Sequence, residues 1–316
     1  MRDSIQPPDK NRFQWKTATA IGAATWLVTA QLSGCASGGL SGEGEGESAR
    51  GEGEGGEGAL TQPLYGGEGE GSGGEGEGEG SAGGSARGEG EGEGEGEGAA
   101  TAGANLATDD AAYLTQLGLI RGHLEVGYAL YQQDLPELAE THMKHPRAEI
   151  YATVVPAFAA RGCDGFGDGL TALTNAVVGR ADKAEVSQVY ADLTDAIAVC
   201  ESGADTNNPV TATKVIEGLL RTAGVEYQIG VVDGAMNNLH EYQDAWGFTQ
   251  VAASWAKSSA YASDEKAVAV AGQLQALIDE LQGLWPSLDP EGTLEGDAAQ
   301  LFGAAGRVQV TGLSLQ

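Results

Sequence analysis

Apolar residues recur at helical spacing through most of residues 105–316, and this pattern predicts an all-α fold. The first helix is expected from about Asp110 to Gln132, with apolar positions along two sides, which indicates burial on both. A later long helix should end at Asp233-Gly234, and Asn238 can cap the next one. A strand is considered only in the tail, at about Val308–Leu313. Further helices are predicted at about 167–178, 183–201, 211–232, from 238 onward, 264–284 and 296–307.

A short second helix is predicted directly after the first. Asp134 can cap its beginning, with Pro136 in the first turn and Glu137 at the capping-box position. Pro146 should limit this helix, because a proline disfavours the helical conformation of the residue before it. The predicted helix therefore carries His142 and ends near Pro146.

Two cysteines lie at nearly equal distances from a predicted turn. The helices expected at about 167–178 and 183–201 form a hairpin around residues 179–182. Residues at equal distances from the turn of an antiparallel hairpin lie level with each other, so Cys163 and Cys200 can meet. We predict a disulfide between them, because an exported protein folds in an oxidising compartment. The alternative is a pair of buried free cysteines.

The N-terminus has the composition of an export signal. Basic residues precede an apolar stretch at 17–30, and small residues follow before Cys35. The junction LSGC, which ends at Cys35, resembles the lipobox of bacterial lipoproteins, in which the cysteine is lipidated and becomes the first residue of the mature chain. This resemblance implies removal of residues 1–34 and a membrane anchor at Cys35. Ala36 favours the outer membrane, with the folded domain in the periplasm.

Residues 35–104 are expected to form a disordered tether. The segment alternates Gly and Glu, with sixteen Glu against two Arg between positions 41 and 98 and almost nothing apolar to bury. About half of the net charge of −29 therefore belongs to this tether. The piece GEGEGG at 51–56 fits the pattern G-x-G-x-x-G, but it lacks the flanking strand and helix of a nucleotide site. Its glutamates could hold cations loosely, although a solvated spacer is the simpler interpretation.

The remaining chain is interpreted as two helical halves, 105–205 and 206–316, which could pack as one bundle or as two. This part is also acidic, with twenty-eight Asp and Glu against eleven Lys and Arg. Nucleic acid is not expected as a partner, because phosphate binding needs clustered basic residues. Haem is not expected either, since the motif Cys-x-x-Cys-His is absent from the sequence.

The four histidines are the main candidates for chemistry. His142 and His145 lie three residues apart on one predicted helix, so both imidazoles could bind one metal ion. His123 comes within reach because a short connection can fold the second helix back against the first. Together these residues predict a site for iron, copper or zinc. The four histidines lie in the segments GHLEVG, THMKHP and NNLHEYQD.

The second half adds further candidates. His240 and Asp244, four residues apart, could contribute two ligands, and Glu226 places a carboxylate on a largely apolar helix face. Structural roles are open for the same kind of residue, since His123 could be a hydrogen-bonded core residue and Glu241 a capping residue. The predicted metal candidates are His142, His145, His123, Glu226 and His240.

The residues around the predicted helix end at Asp233-Gly234 resemble a known family. The pattern Y-x5-DG-x3-N-x2-EY, from Tyr227 to Tyr242, resembles the helical extracytoplasmic region of bacterial high-affinity iron permeases, which is itself similar to imelysin-like periplasmic proteins. The segments RGHLEVG and THMKHP resemble helical exported proteins that accompany such iron-uptake systems. The imelysin pattern Gly-x-His-x-x-Glu is not reproduced, because Gly122 and His123 are adjacent and Glu125 follows two residues later. The resemblance implies a role in iron handling.

These observations predict a membrane-anchored periplasmic lipoprotein that binds a transition metal and serves iron or copper uptake, with a metal-uptake permease as a partner. The alternative is a structural or assembly lipoprotein that binds no metal and uses its histidines as core and capping residues. An enzyme is not expected, because we find no convincing nucleophile and base and no zinc-peptidase motif H-E-x-x-H. An imelysin-like peptidase is the one activity that the resemblance suggests.

Overall fold

The structure, a computed structural model, describes residues 101–316. The export signal, the lipidation of Cys35 and the predicted tether up to residue 100 lie outside the described residues and stay predictions. Within residues 101–316 the chain is helical almost throughout, which confirms the all-α fold. No helix in this range is long and apolar enough to cross a membrane.

The first half of the described chain is built from α1 (Asp110–Gln132), α2 (Pro136–His145), α3 (Tyr151–Arg161), α4 (Gly167–Val178) and α5 (Lys183–Glu201). Side-chain caps define two of the helix starts. Asp109 accepts from the backbone N–H of Ala112 at the start of α1, and Asp182 accepts from that of Glu185 at the start of α5. The bounds of α1, α4 and α5 agree with those predicted from periodicity.

The second α-helix ends at His145, directly before Pro146, as predicted, but the chain stays helical beyond it. α2 passes into a π-helical turn at Pro146–Ile150, and this turn leads directly into α3, a helix that the sequence did not predict. The backbone N–H of Tyr151 donates to the carbonyl of Pro146, five residues back. Pro146 itself has no N–H to donate, so the regular series of helix hydrogen bonds is interrupted where the π turn begins.

Asp134 does not cap α2 as predicted. Its φ is 62°, in the left-handed region that Asp tolerates, and the N-cap position is occupied by Leu135 without a side-chain cap. The Asp134 carboxylate lies 2.7 Å from Nζ of Lys183 instead. Its charge therefore pairs with the start of α5 rather than with the start of α2.

The second half is built from α6 (Pro209–Gly230), α7 (Leu239–Ala256), α8 (Glu265–Asp279) and α9 (Ala298–Gly312), with two short strands, β1 (Val231–Val232) and β2 (Ala235–Met236), between α6 and α7. The strands pair antiparallel around Asp233 and Gly234, which have φ values of 51° and 77°. An Asp-Gly pair with both residues in this region is the typical two-residue hairpin turn. The predicted helix end at Asp233-Gly234 is thus also a hairpin that makes α6 and α7 antiparallel. Asn238 caps α7 as predicted, accepting from the N–H of His240.

The strand considered at about Val308–Leu313 is wrong, because α9 continues to Gly312. Leu301, Ala305 and Val308 are buried, and their spacing of four and then three residues follows one face of a helix. This segment packs against α6 and α8. Its conformation is therefore determined by helix packing rather than by the alternation of apolar and polar residues in its sequence.

The two halves meet along α1, which packs against both α6 and α7. Two glycines face each other where α1 meets α7, and a Cβ on Gly247 would overlap the carbonyl oxygen of Gly122. A Cβ on Gly122 would in turn overlap the ring of Phe248. The absence of side chains at these glycines therefore allows the closest approach between the halves.

A disulfide joins Cys163 to Cys200 at the end of α5, as the hairpin arrangement predicts. The hydroxyl of Tyr113 donates to the carbonyl of Cys200 at 3.2 Å, which ties this region to the start of α1. The Arg161 guanidinium lies over the Tyr113 ring, 4.9 Å from its centroid, and pairs with Asp110. Tyr113 lies ten residues before His123 on α1, which corresponds to a rise of about 15 Å. The disulfide is therefore remote from the middle of this helix.

Candidate metal centre

The four histidines converge in the interior, where the two halves meet. His123 lies in the middle of α1, His142 and His145 in the last turn of α2, and His240 in the first turn of α7. Asp244 follows one turn after His240. The side chains of His123 and His142 are fully buried, and that of Asp244 is 1% exposed. Polar groups buried this deeply need partners, and these residues supply them to one another.

The turn between α1 and α2 brings the histidines of α2 towards α1. Only residues 133–135 connect the two helices, so α2 folds back along α1. Gly127 leaves room for this approach, because a Cβ there would lie 2.7 Å from Cε of Met143. Met143 is a core residue, and its neighbour His142 comes to lie 6.5 Å from His123, measured between ring centroids.

The close approach of α7 to α1 brings the carboxylate of Asp244 to the same place. The His123 ring packs edge-on against Phe248, with ring centroids 5.1 Å apart and an interplanar angle of 88°. Asp244 lies one turn before Phe248 on α7 and faces the same neighbour. The contact between Gly122 and Gly247 therefore brings His123 of the first half close to Asp244 of the second.

Asp244 contacts both buried imidazoles with one oxygen atom. Its Oδ1 lies 2.7 Å from Nδ1 of His123 and 2.9 Å from Nδ1 of His142. One ligand atom from each of the three residues lies within 4.8 Å of the other two. Nitrogen and oxygen ligands bind zinc at about 2.0–2.2 Å, which separates two ligand atoms of one ion by roughly 3 Å or more. The two oxygen–nitrogen distances, 2.7 and 2.9 Å, are slightly shorter than this separation.

His145 and His240 extend the cluster beyond this triad. The His240 ring lies 5.1 Å from that of His142 and 5.8 Å from that of His145, and the His145 ring lies 5.8 Å from that of His123. With a metal–nitrogen distance of about 2.1 Å, imidazoles on one ion have centroids roughly 4.5–6.5 Å apart. His145 and His240 therefore lie at distances from which they could also bind an ion held by the triad.

The charges of the cluster suit a cation. Burial alone would raise the pKa of Asp244, but the imidazoles of His123 and His142 lower this pKa far below its usual range. Burial, together with the nearby imidazole of His142, lowers the pKa of His240 to about 4. At neutral pH Asp244 is therefore a carboxylate and His240 a neutral imidazole, which are the forms that bind metal ions.

Gln243 contacts His142 from the side opposite Asp244. Its Oε1 lies 2.7 Å from Nε2 of His142, and its own Nε2 donates to the carbonyl of Leu288 at 2.7 Å. Gln243 is fully buried. No sequence pattern singles out this residue, because an amide side chain beside Asp244 has no motif of its own.

The structure brings together four of the five predicted candidates, namely His142, His145, His123 and His240. The pairing predicted for Asp244 is only partly right. Spacing alone paired it with His240 on the same helix, whereas its carboxylate contacts His123 and His142 from the other half. Asp244, which centres the triad, is thus a possible ligand by its spacing from His240, although the set of predicted metal candidates does not include it.

Glu226, the fifth candidate, is buried on α6 with 3% exposure. A Cβ on Gly118 of α1 would contact Leu219 of α6 at 3.1 Å, so these positions lie level with each other. The group of candidate ligand atoms that meet in the described part of the chain comes from His123, His142 and Asp244, and Glu226 is not in that group. A part for Glu226 in the site therefore stays a prediction.

A helical bundle with buried histidines and a carboxylate on facing helices is an arrangement in which bundle proteins bind metal ions. Residues 202–311 match the family model described as an iron permease-associated 4-helix bundle domain. The second half therefore resembles a domain associated with iron permeases, as the pattern from Tyr227 to Tyr242 predicts. The matched range contains His240, Asp244 and Glu226, but it contains neither His123 nor α2. No curated protein and no solved structure matches the chain.

Proposed function

We propose that this protein is a lipid-anchored periplasmic accessory of iron or copper uptake that binds a transition metal ion through His123, His142 and Asp244. The observation that carries the proposal is the convergence of these three ligand atoms in the core, from helices of both halves. Imidazole and carboxylate ligands suit iron, copper and zinc. His145, His240 and Glu226 are the residues from which the remaining ligands would come.

The link to uptake comes from the second half and from the N-terminus. The match of residues 202–311 to an iron permease-associated domain supports a permease as the partner. A lipid on Cys35 would keep the domain at a membrane, and the acidic tether would let it reach a partner while attracting cations. Replacing Cys35 by Ser should release the protein into the soluble periplasmic fraction or leave an uncleaved precursor. Unchanged processing and membrane extraction would contradict anchoring through this residue.

Metal binding can be tested by composition and by stability. Protein purified without a histidine tag should carry a stoichiometric metal, or take one up when iron, copper or zinc is added. An ion that binds only the folded state raises the melting temperature with the logarithm of its concentration. Replacing His142 and His145 together by Ala should abolish this rise and leave the helical content intact.

Lys144 offers a matched control for the double variant. It lies between the two histidines on α2, but its side chain is 54% exposed and pairs with Glu140. Lys144→Ala should therefore keep the metal-dependent rise in melting temperature. If iron, copper and zinc all leave the wild-type melting curve unchanged and the untagged protein carries no metal, the cluster is a structural polar network. The assembly-lipoprotein alternative would then replace the proposal.

A further inference from the structure

A cleft lies between the two halves, lined by residues from both. Its volume is about 690 Å³, and sites for small organic ligands commonly have volumes of about 300–1,000 Å³. The first half lines it mainly with residues of α1 and α5, and the second with the end of α7 and the segment that follows. None of the four histidines lines this cleft, so it is separate from the candidate metal centre.

The two acidic side chains of the cleft already have partners within the protein. The carboxylate of Glu201 accepts from Nε and Nη2 of Arg121, at 2.6 and 2.9 Å. The carboxylate of Glu125 accepts from the hydroxyl of Tyr190 at 2.6 Å. Both acids on the wall are therefore engaged.

The basic side chains of the cleft still have N–H groups to donate. A guanidinium carries five N–H groups, and Arg121 uses those of Nε and Nη2, because Nη2 also donates to the carbonyl of Thr194 at 3.0 Å. Within residues 101–316, neither Nη1 of Arg121 nor the ammonium of Lys257 has a hydrogen-bond partner. A cleft with paired acids and unfilled cationic donors favours an anion.

Apolar side chains complete the wall. Trp255 and Val251 from α7 and Ala198 from α5 also line the cleft, and Val251 is 8% exposed. The carbon chain of an organic acid can bury apolar surface against these side chains, whereas inorganic phosphate has none to bury. The lining therefore favours an organic anion over an inorganic one.

We propose that this cleft binds a small organic dicarboxylate, with one carboxylate at Nη1 of Arg121, the other at Lys257 and the carbon chain against Trp255. The ion pair with Glu201 already holds the guanidinium, so Arg121 loses little side-chain freedom when the ligand binds.

The charge of the cleft differs from that of the chain around it. Residues 105–316 contain twenty-eight acidic against eleven basic residues, but Arg121 and Lys257 balance Glu125 and Glu201 at the cleft. An anion that approaches the cleft therefore meets no local excess of negative charge, unlike one that approaches the rest of this acidic domain.

The proposal does not depend on metal binding, so its test uses the full-length, metal-free protein. Succinate, butyrate and putrescine have carbon chains of the same length and differ in the charges at their ends. In calorimetric titrations succinate should bind, butyrate should bind more weakly and putrescine should not bind. If succinate does not bind, or if butyrate, putrescine or inorganic phosphate binds as tightly as succinate does, the assignment is wrong. The proposed metal centre would be unaffected by that result, because it uses none of these residues.

Two variants change the charge of the cleft in opposite directions. Lys257→Gln removes a cationic donor and should weaken succinate binding about three- to tenfold. Glu125→Gln removes a negative charge but keeps an oxygen that can accept from Tyr190, so it should strengthen succinate binding. Lys266→Gln is the control, since Lys266 is exposed and does not line the cleft, and it should leave the affinity unchanged. Equal losses in the two lysine variants would show that only net charge matters and would overturn the site.

Discussion

The two halves of the described chain contribute different groups to the candidate metal centre. The first half supplies three of the four histidines, and the second supplies Asp244, Gln243 and His240. Only the second half lies within the match to an iron permease-associated domain. The matched half alone thus holds Asp244 and the Gln243 amide but a single histidine. Resemblance of one half therefore does not locate the candidate site, whose residues come together only where the two halves pack against each other.

The halves also differ in how they are held together. The first half contains the Cys163–Cys200 disulfide, which contacts the beginning of α1, far from His123. The contact between the two halves depends instead on Gly122 and Gly247, next to His123. Stability and metal affinity should therefore respond to different substitutions. Three predictions test this separation.

The largest effect is expected from removing the disulfide, and it should fall on stability alone. Replacing Cys163 and Cys200 by Ser opens a covalent link between residues 37 positions apart and should cost about 3 kcal/mol of unfolding free energy. Urea unfolding of the metal-free protein would measure this loss. Metal affinity should change by no more than about twofold, because distant sites act nearly independently. A parallel loss of affinity would show instead that the two ends of the first half are coupled.

An intermediate effect is expected from separating the halves, and it should reduce both properties. In Gly247→Ala the new methyl overlaps the backbone of Gly122 and the side chain of Val126, which should cost about 1–3 kcal/mol. Because this overlap moves Asp244 away from His123, Zn²⁺ binding should weaken as well. Gly272→Ala on α8 is the control, since a Cβ there meets nothing within 4 Å. It should stabilise the helix slightly and leave Zn²⁺ binding unchanged.

A further effect is expected from pH, and it should be small in mildly acidic solution and grow toward pH 4. The pKa of His240 is about 4 in the folded protein, below its usual value of 6.5, so the unfolded chain takes up a proton first as pH falls. The stability that neutral His240 contributes is complete above pH 6.5 and is lost between about 6.5 and 4. The urea midpoint of the metal-free protein should fall across this window. In His240→Gln the fall should be shallower, and an equally steep fall would assign the effect to other groups.

The sequence predicted helices well where they are long and amphipathic. α1, α4 and α5 have their predicted bounds, and α6 begins and ends two residues earlier than expected. The π turn at Pro146–Ile150 was missed because a proline usually marks a helix boundary, and a five-residue hydrogen-bond spacing leaves no periodic pattern of its own. Local patterns therefore predict the regular helices but not the irregular turn that joins α2 to α3.

The candidate site was predictable only in part, for a related reason. Histidines are rare in this chain, so they stood out as candidates. Their convergence depends on contacts between residues about 100 positions apart, such as that of His142 with Asp244. Spacing along α7 identifies which side chains share a face, but it cannot identify the helix that faces them. Gln243 was missed entirely, because its role depends on two partners that only the fold brings near.

The position of the cluster between the halves bears on how the protein opens. Two parts of one helical unit can unfold locally at different free energies of opening. An ion with ligands on α1, α2 and α7 would have to be released before either part opened. Metal binding would then make the two halves unfold as one unit. Amide hydrogen exchange would slow in all three helices together rather than in one half at a time.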